Sequence, residues 1–348
     1  MLNFKKCIAI TCAVIITTFV SGQPDCGGLS GPVPVTGGGT ILNGPAATLQ
    51  EHIPTKRMIP YEHVREADVL WSKRVWEFID LREKINLPMY YPLDEITPYG
   101  TWLKNSSRWS LWTIIRSHVM CGDLRVFSPY DPLSYGLGKK DGYELKYPVD
   151  PVPGGNFYND SLFRDDLLWY LGHLGPQSDI PVTDDYGDPV VITDPVTGAQ
   201  EFKYPDRDTV WFTSKDIIQY RLKEDWFFDK ERSVLDVRII AIAPVVYDMV
   251  EDPTGAKSIS GTKELFWLYF PHCRYVFNNY YVYNDKNDVQ WMSFDDLFWK
   301  RRFNAVIYKE SNTQDRTIDS YRAGVDALHE SELIKNEIRN IEHDVWSF

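Results

Sequence analysis

The stretch from residue 214 to residue 310 constrains the fold more than any other part of the chain, because apolar and charged side chains alternate along it. One side of its first run carries Tyr220, Leu222, Trp226 and Phe228, and the other side carries Arg221, Lys223, Asp225 and Asp229. This period of two residues is typical of a half-buried strand. A second run, 234–246, alternates at first and then turns apolar on both faces, which predicts a strand that enters the middle of a covered sheet.

Two residues in these runs depart from a plain strand pattern. Pro244 has no backbone N–H, so we expect regular pairing to end there. Glu224 falls on the apolar side with Leu222 and Trp226, where an unpaired carboxylate is strongly destabilising. We therefore expect Glu224 to lie at a sheet edge, at a subunit contact, or beside an arginine such as Arg238.

Apolar spacing, caps and turn residues predict the remaining elements. Helices are expected over 61–85, 107–120, 160–174, 294–302 and 326–346, strands over 124–127 and 303–308, a loop over 128–156, and hairpins over 189–204 and 245–270. Ser293 is expected to cap the helix that follows it. The last helix carries an apolar stripe that consists of Ile334, Ile338, Ile341 and Val345. The predicted fold class is α+β, with a mostly antiparallel sheet, packed helices and a long C-terminal helix.

The first 56 residues differ in composition from the rest. Residues 1–22 combine two lysines, an apolar run and a final pair of small residues, as a secretory signal peptide does. Residues 23–56 are rich in Gly and Pro, which predicts a disordered tether that is either a passive spacer or a strap that orders on a neighbouring molecule. The body then spans 57–348, as one unit or as two subdomains, 57–205 and 206–348.

The charge balance restricts the partners. The chain has 49 acidic and 37 basic residues and a net charge of −12, which argues against nucleic acid and anionic lipid surfaces as partners. No stretch after the signal peptide is apolar enough for a membrane span. Among the cysteines, Cys121 and Cys273 would either pair in an oxidising compartment or be buried separately as small apolar residues.

The sequence lacks the motifs of common catalytic and cofactor sites. It contains no GxxxxGK[ST], GxSxG or HExxH pattern. His118 and Cys121 have the spacing of metal ligands, but no second pair completes a tetrahedral site. Glu224 and Asp225 fall on opposite faces of their strand, so they do not form a catalytic carboxylate pair. We therefore predict no catalytic, cofactor-binding or metal-binding residues.

Aromatic residues are numerous, with 12 Trp, 21 Tyr and 17 Phe, and most must lie in the core. Tyr280, Tyr281 and Tyr283 are harder to bury together, since the last two share one face of a strand and Tyr280 points away. An exposed row of this kind marks either a protein contact or a carbohydrate-binding surface. A carbohydrate-binding module and an enzyme that acts on cell-wall glycans therefore stand as alternative functions.

Five segments resemble a known family. They occur in order from about residue 60 to the C-terminus and read LWSKRVWEFIDLREKINLPMYYP, KEDWFFDKERSVLDVRIIAIAP, LFWLYFPHCRYVFNN, FDDLFWKRRFNAVIYKESN and IEHDVWSF. They are similar to the gliding motility protein GldN, called PorN in non-gliding relatives, a family of the type IX secretion system of Bacteroidetes.

The resemblance implies a non-catalytic periplasmic protein that needs no cofactor. It would form a ring with the outer-membrane lipoprotein PorK/GldK, contact the motor proteins PorM/GldM and PorL/GldL, and support protein secretion and, in gliding hosts, motility. On this view we expect the interfaces to use the tether, the stripe of the last helix and the three tyrosines, with Glu224 at a subunit contact as a further candidate.

Overall fold

The computed structural model describes residues 58–346, apart from 98–99, 106–107, 131–143, 176–179, 184–188, 194–199, 206–207, 252–256 and 287–291. The predicted signal peptide, 1–22, and tether, 23–56, lie outside these residues. Within the described part, no helix has both the length and the apolar character that a membrane crossing requires.

The described residues form strands and six helices. The strands are β1 (Val69–Asp80), β2 (Glu95–Ile96), β3 (Trp102–Leu103), β4 (Val126–Ser128), β5 (Tyr147–Val149), β6 (Gly172–Leu174), β7 (Val191–Thr193), β8 (Gln200–Phe202), β9 (Thr209–Trp211), β10 (Ile217–Asp229), β11 (Val234–Glu251), β12 (Lys257–Glu264), β13 (Trp267–Tyr269), β14 (Tyr281–Val282), β15 (Met292–Ser293) and β16 (Val306–Glu310). The helices are α1 (Leu87–Tyr90), α2 (Leu111–Cys121), α3 (Ser161–Leu171), α4 (Phe270–Phe277), α5 (Phe294–Trp299) and α6 (Val325–Trp346). The α+β prediction is confirmed.

An eight-stranded antiparallel sheet organises the molecule, in the order β16-β1-β10-β11-β13-β4-β5, with β12 also paired to β11. The long strands β10 and β11 occupy the segments where the sequence alternates, as predicted. The sheet takes strands from both sides of residue 205, and the division into two subdomains stays a prediction.

The helix predicted over 61–85 is wrong, because residues 69–80 form β1. This strand pairs with β10 from Val69 opposite Asp229 to Asp80 opposite Gln219, and its other edge pairs with β16. Two of the apolar residues that suggested a helix, Trp71 and Val75, also fit a strand, since they share one face of β1 and pack in the same cluster. Pairing on both edges favours the extended form.

Pro244 does not end its strand, contrary to the prediction. It lies opposite Tyr220 within β11, which continues to Glu251. On the other edge, β11 pairs with β13 up to Ile242 and with β12 from Val245 onward. The carbonyl of Pro244 accepts from the Leu265 N–H at 3.0 Å on that edge. The missing N–H therefore faces the interruption between β12 and β13, where no regular ladder needs a donor.

Two apolar clusters hold the helices against the sheet. The main cluster joins helices α2 to α5 to the sheet and includes Ile79, Leu222 and Ile242. The C-terminal cluster joins α6 to β1 and β16 and consists of Val75, Ile307, Ile318, Ile334 and Ile338, with Trp71, Trp226 and Leu235 packed beside it. The last helix is thus part of the folded body.

Several local predictions are confirmed. The hairpins β7/β8 and β11/β12 form as expected, and α2, α3 and α6 lie within four residues of their predicted bounds. Ser293 accepts from the Asp296 N–H at 3.0 Å and so caps α5. That helix ends at Trp299, earlier than predicted, and β5 adds a strand inside the predicted loop 128–156.

Of the two alternatives left open for Cys121 and Cys273, the structure excludes pairing with each other. Cys273 is a free thiol at 1% exposure, and its Sγ lies 3.5 Å from the carbonyl oxygen of Tyr269. Cys121 is disulfide-bonded. Cys273 therefore behaves as a small apolar residue of the main cluster, which was the other reading of the sequence.

Candidate functional site

A group of three charges, Glu77, Glu224 and Arg301, lies where the two apolar clusters meet; we call it the charge triad. Both carboxylates are buried, and Arg301 is half-buried. On β1, Glu77 stands between Val75 of the C-terminal cluster and Ile79 of the main cluster. On the neighbouring strand β10, Glu224 likewise stands between Leu222 of the main cluster and Trp226 beside the C-terminal cluster. The sheet thus carries two neighbouring carboxylates between its two apolar regions.

Arg301 contributes the positive charge from the end of α5. The N–H groups of Arg301 and Arg302 donate to the carbonyls of Phe298 and Leu297, at 3.1 and 3.0 Å, which closes the helix in a Schellman-type cap. This cap places Arg301 in the left-handed region, with φ 47°, a position that glycine usually occupies. In this strained backbone conformation, the guanidinium of Arg301 lies against the sheet, where it reaches Glu224 and Glu77.

The hydrogen bonds of the triad are short and numerous. Arg301 Nη1 donates to Glu224 Oε1 and Oε2 at 2.8 and 2.9 Å, and Nη2 donates to Glu77 Oε2 at 3.1 Å. Trp226 Nε1 also donates to Glu224 Oε2, at 3.2 Å. Glu224 is therefore paired, as its place on the apolar face required. Its partner is Arg301 and not Arg238, and β10 is not a sheet edge.

The triad holds two acids against one guanidinium. Burial, together with the negative charge of Glu224, raises the pKa of Glu77 to about 7, although Arg301 and Lys335 favour its ionised form. Glu77 therefore changes charge near neutral pH. A proton on Glu77 leaves one carboxylate and one guanidinium, which is the balanced state of the group.

A cavity of about 400 Å³ lies between the triad and α6. Its lining includes Glu77 and Arg301 from the sheet side and Lys335, Ile338 and Arg339 from the helix. Glycoside hydrolysis needs two carboxyl groups that both contact the substrate. Glu224 is 0% exposed and both its oxygens accept from Arg301. The arrangement is therefore suited to holding α5, β1 and β10 together.

The stripe of α6 faces this region. Ile334 and Ile338 are buried in the C-terminal cluster, and Ile341 is half-buried. The side chain of Val345 lies outside the described set. The inner part of the stripe thus packs on the molecule's own sheet, whereas Leu328 and Leu333 are exposed on the same helix.

The helix also covers the open edge of β16. Ser331 Oγ accepts from the Ile307 N–H at 2.9 Å, and Lys335 Nζ donates to the carbonyl of Ala305 at 2.6 Å. Backbone groups that an edge strand would otherwise leave open are bonded by helix side chains. The attachment of α6 is therefore polar as well as apolar.

The three tyrosines do not form an exposed row, contrary to the expectation. Tyr280 and Tyr281 are buried, and Tyr283 is 47% exposed. The hydroxyl of Tyr280 lies 2.7 Å from His118 Nε2, and its ring stacks on Trp109 with 5.4 Å between centroids. Tyr280 and Tyr281 are therefore part of the core. The strand predicted for the three tyrosines is only two residues long, β14, so they do not alternate along one surface.

His118 has partners on both ring nitrogens. Its Nδ1 lies 2.8 Å from Asp123 Oδ2, opposite the bond from Nε2 to Tyr280. Cys121, the other residue with ligand-like spacing, is disulfide-bonded. Within the described ranges, no group of three His, Cys, Asp or Glu side chains is placed to hold a metal ion.

A second buried ion pair holds the start of the described chain. Arg274 on α4 donates to Asp295 Oδ1 and Oδ2 at 2.7 and 3.1 Å, and to the carbonyl of Ile59 at 2.8 Å. Its guanidinium lies 4.3 Å from the ring centroid of Tyr61. Glu62 is bonded in addition, through its carboxylate to Arg232 and through its carbonyl to Arg238. The segment 59–62 is thus fixed to the body.

Sequence reasoning missed Glu77, Arg301 and Arg274. Glu77 lay in a run taken for a helix, and Arg301 was placed inside a helix rather than at its cap. Arg274 offers a weak signal, because it is a charged residue within the apolar segment FPHCRYVF. A charge inside an apolar helix implies a buried partner.

Comparison with known families gives one match. A family model described as gliding motility associated protein GldN matches residues 64–347. It confirms the resemblance that the sequence segments suggested. A search of curated proteins found no match.

Proposed function

This chain belongs to the GldN family of gliding motility associated proteins, and from that membership we propose that it is a non-catalytic structural component of the type IX secretion system. In this proposal it resides in the periplasm and forms a ring with the outer-membrane lipoprotein PorK/GldK. It contacts the motor proteins PorM/GldM and PorL/GldL and is needed for protein secretion and, in a gliding host, for motility.

The observation that carries the proposal is the extent of the family match. It runs from residue 64, just after the segment that Arg274 holds, to residue 347. The eight-stranded sheet, both apolar clusters and the charge triad all lie inside it. The match therefore concerns the whole folded body and not one shared element.

The buried charges fit a component that acts through its shape. A ring is held by repeated contacts of the same kind, and each contact needs a rigid surface. The contributions of these contacts to the stability of the ring combine through effective concentration. The triad ties β1 and β10 to the end of α5, and α6 is fixed over β16. Buried arginine forks of this kind favour one arrangement of the elements that they join.

An assembly measurement tests the proposal. The protein without residues 1–22 is purified alone and with its PorK/GldK-type lipoprotein partner, and the masses of both samples are measured by light scattering. We expect a large closed assembly in the mixture. A monomer in both samples would contradict the scaffold role.

A genetic experiment tests the role in the cell. The gene is deleted in the source organism, and export of proteins that carry the system's C-terminal signals is followed in the culture medium. We expect export to stop and to return when the gene is restored. Normal export in the deletion strain would exclude a function in secretion.

The carbohydrate alternatives receive less support. Two of the three tyrosines that would form a sugar-binding surface are buried, namely Tyr280 and Tyr281. Glu224 has no surface on which to meet a glycan. No observation favours a glycan role over assembly.

A further inference from the structure

An apolar groove of about 430 Å³ lies away from the charge triad. Met292 and Leu297 line it from buried positions. Ile85 and Tyr283 also line it, with 53% and 47% of their surfaces exposed. Large apolar side chains that remain exposed around a concave surface are typical of a site that another molecule covers.

Positive charges surround this groove. Lys84, Lys286 and Arg302 all line it, and among the described residues of the lining Asp285 is the single acid. Arg108 adds a fourth cation, because its guanidinium carbon lies 5.0 Å from the centroid of the Tyr283 ring. The groove therefore combines an apolar interior with an excess of positive charge.

These cations differ from many, though not all, of the other basic side chains on the surface. Many exposed basic side chains form ion pairs with acids of the same chain: Arg65 with Asp68, Arg74 with Asp225, Arg82 with Asp80, Arg125 with Asp150, Lys215 with Glu95, and Lys300 with Asp296.

Among the residues that the structure describes, the groove cations have no such partner. Across the described ranges, none of Lys84, Lys286, Arg302 and Arg108 lies within ion-pair distance of a carboxylate. Arg302 donates instead to the neutral groups Asn284 Oδ1, at 3.0 Å, and Met292 Sδ, at 3.7 Å. In a chain with twelve more negative than positive charges, cations left without acids beside an apolar groove indicate that the acids come from a ligand.

We propose that this groove binds a segment of a partner protein that presents an apolar side chain flanked by carboxylates. The apolar side chain enters between Tyr283 and Ile85 and contacts Leu297. The flanking carboxylates pair with Lys84 and Lys286 at the rim.

The placement of the cations favours a peptide over a single compact anion. Lys84 precedes α1, Lys286 follows β14, and Arg302 follows α5, so the charges come from three separate elements around the groove. Carboxylates spaced along an extended chain can meet each of them. The guanidinium of Arg302, already oriented by Asn284, can donate to a carboxylate with little further ordering. Exposed ion pairs are individually weak and sensitive to salt, so we expect modest, salt-dependent affinity.

The inference goes beyond the proposed function and does not depend on it. A peptide assay measures the groove itself, whether or not the chain takes part in secretion. Conversely, ring formation and export can be normal in a protein whose groove binds nothing.

The test uses the full chain without residues 1–22 and a fluorescein-labelled probe, Gly-Glu-Asp-Phe-Asp-Glu-Gly. Fluorescence anisotropy at 50 mM salt is expected to show saturable binding with a Kd below about 1 mM. The matched peptide in which Gln and Asn replace the acids is expected to bind at least about tenfold more weakly.

Variants locate the binding site. The double variant Lys84→Glu, Lys286→Glu changes two exposed side chains and is expected to weaken binding about tenfold or more. Tyr283→Ser is expected to weaken binding of both peptides, because it removes apolar contact. Lys230→Glu, an exposed change outside the groove, is the matched control and is expected to leave binding unchanged.

Four outcomes would overturn the proposal. They are equal binding of the acidic and neutral peptides, unchanged binding in the groove variants, binding to phosphatidylglycerol vesicles without binding to the peptide, and a dimer that the charge reversals dissociate while peptide binding stays the same. The third would assign the groove to lipid and the fourth to a second copy of this chain. Circular dichroism and thermal unfolding of each variant confirm that the fold is intact.

Discussion

Arg301 donates through a single nitrogen, Nη1, to both carboxylate oxygens of Glu224, at 2.8 and 2.9 Å. The two residues lie 77 positions apart in the sequence. Glu224 is fully buried, and Arg301 takes a left-handed backbone conformation in order to meet it. One contact therefore joins the strained backbone of Arg301 to the buried carboxylate of Glu224. Its disruption should have consequences that surface ion pairs do not have.

Removal of Glu224 should be costly. In Glu224→Ala, the half-buried Arg301 loses its two hydrogen bonds to Glu224 and keeps the one to Glu77, and we expect the free energy of unfolding to fall by about 2 to 3 kcal/mol. Asp225→Ala is the matched control, because Asp225 is the next residue and also accepts a bidentate pair, from Arg74 at 2.6 and 2.7 Å. That pair is partly exposed, so its loss should cost less than about 1 kcal/mol. Urea unfolding measures both, and equal losses would contradict the assignment.

Arg301→Gly separates the two contributions of Arg301. Glycine relieves the left-handed conformation, which favours the variant by about 1 kcal/mol. It also leaves Glu224 and Glu77 without their cation, which costs about 3 to 5 kcal/mol. The larger effect should prevail, and we expect a net loss of roughly 2 to 4 kcal/mol. Arg301→Lys keeps a cation but not the forked guanidinium, so its stability should lie between those of the natural protein and Arg301→Gly. A stability equal to that of the unmodified protein would show that the triad contributes little.

Glu77 should make the stability depend on pH near neutrality. Its pKa is raised from 4.5 to about 7, so the folded protein binds more protons than the unfolded chain between these values. The contribution of Glu77 is therefore complete below about pH 4.5 and is lost as the pH rises through 7, by about 3 kcal/mol in all.

The variant Glu77→Gln isolates this effect, because it keeps an acceptor for Arg301 and cannot ionise. The comparison with this variant is needed because His118 changes the stability in the opposite direction. Burial lowers the pKa of His118, so its contribution to stability is lost as the pH falls below 6.5, the ordinary pKa of a histidine. We expect the stability of the natural protein relative to the variant to decrease from pH 5 to pH 8. Parallel profiles for Glu77→Gln and the natural protein would exclude a raised pKa.

The last helix should contribute to stability through its inner face. Ile338 is buried between α6 and the sheet, and Ile338→Ala should cost about 2 to 4 kcal/mol through lost burial and the cavity that remains. Leu333 lies on the same helix and is about half exposed, so Leu333→Ala should change stability by less than about 0.5 kcal/mol. Thermal unfolding compares the two. Similar small effects would mean that α6 is not docked on the sheet in solution.

Short-range patterns in the sequence predicted much of this fold, and long-range pairing explains what they missed. The alternation around Tyr220 gave β10, and a serine followed by acids gave the cap at Ser293, because each signal lies within a few residues of the structure that it produces. The helix wrongly expected at β1 contains Glu77, whose charge interrupts a strand-like pattern. Its partner Arg301 is 224 positions away, so no local pattern shows why the charge is tolerated there.

The candidate site was predictable to a similar degree. The position of Glu224 on an apolar face required a partner, and the structure supplies one, but an alternation of side chains does not identify which arginine it is. The tyrosines illustrate the opposite case. Tyr280 is buried, and its hydroxyl lies 2.7 Å from Nε2 of His118, on a helix 162 positions earlier, whereas the alternation of side chains in a predicted strand indicated an exposed row.

The thiol of Cys273 should be unreactive until the protein unfolds. It is fully enclosed in the main cluster, and burial raises the pKa of the thiol far above its usual value, so almost no thiolate forms at neutral pH. We expect iodoacetamide at pH 8 to leave Cys273 unmodified in the native protein and to modify it within minutes in 6 M guanidinium chloride, as read by peptide mass spectrometry. Cys121 is the internal control, because its disulfide should block modification in both states unless a reductant is added. Rapid modification of Cys273 in the native protein would show that α4 opens readily, which a rigid ring component should not allow.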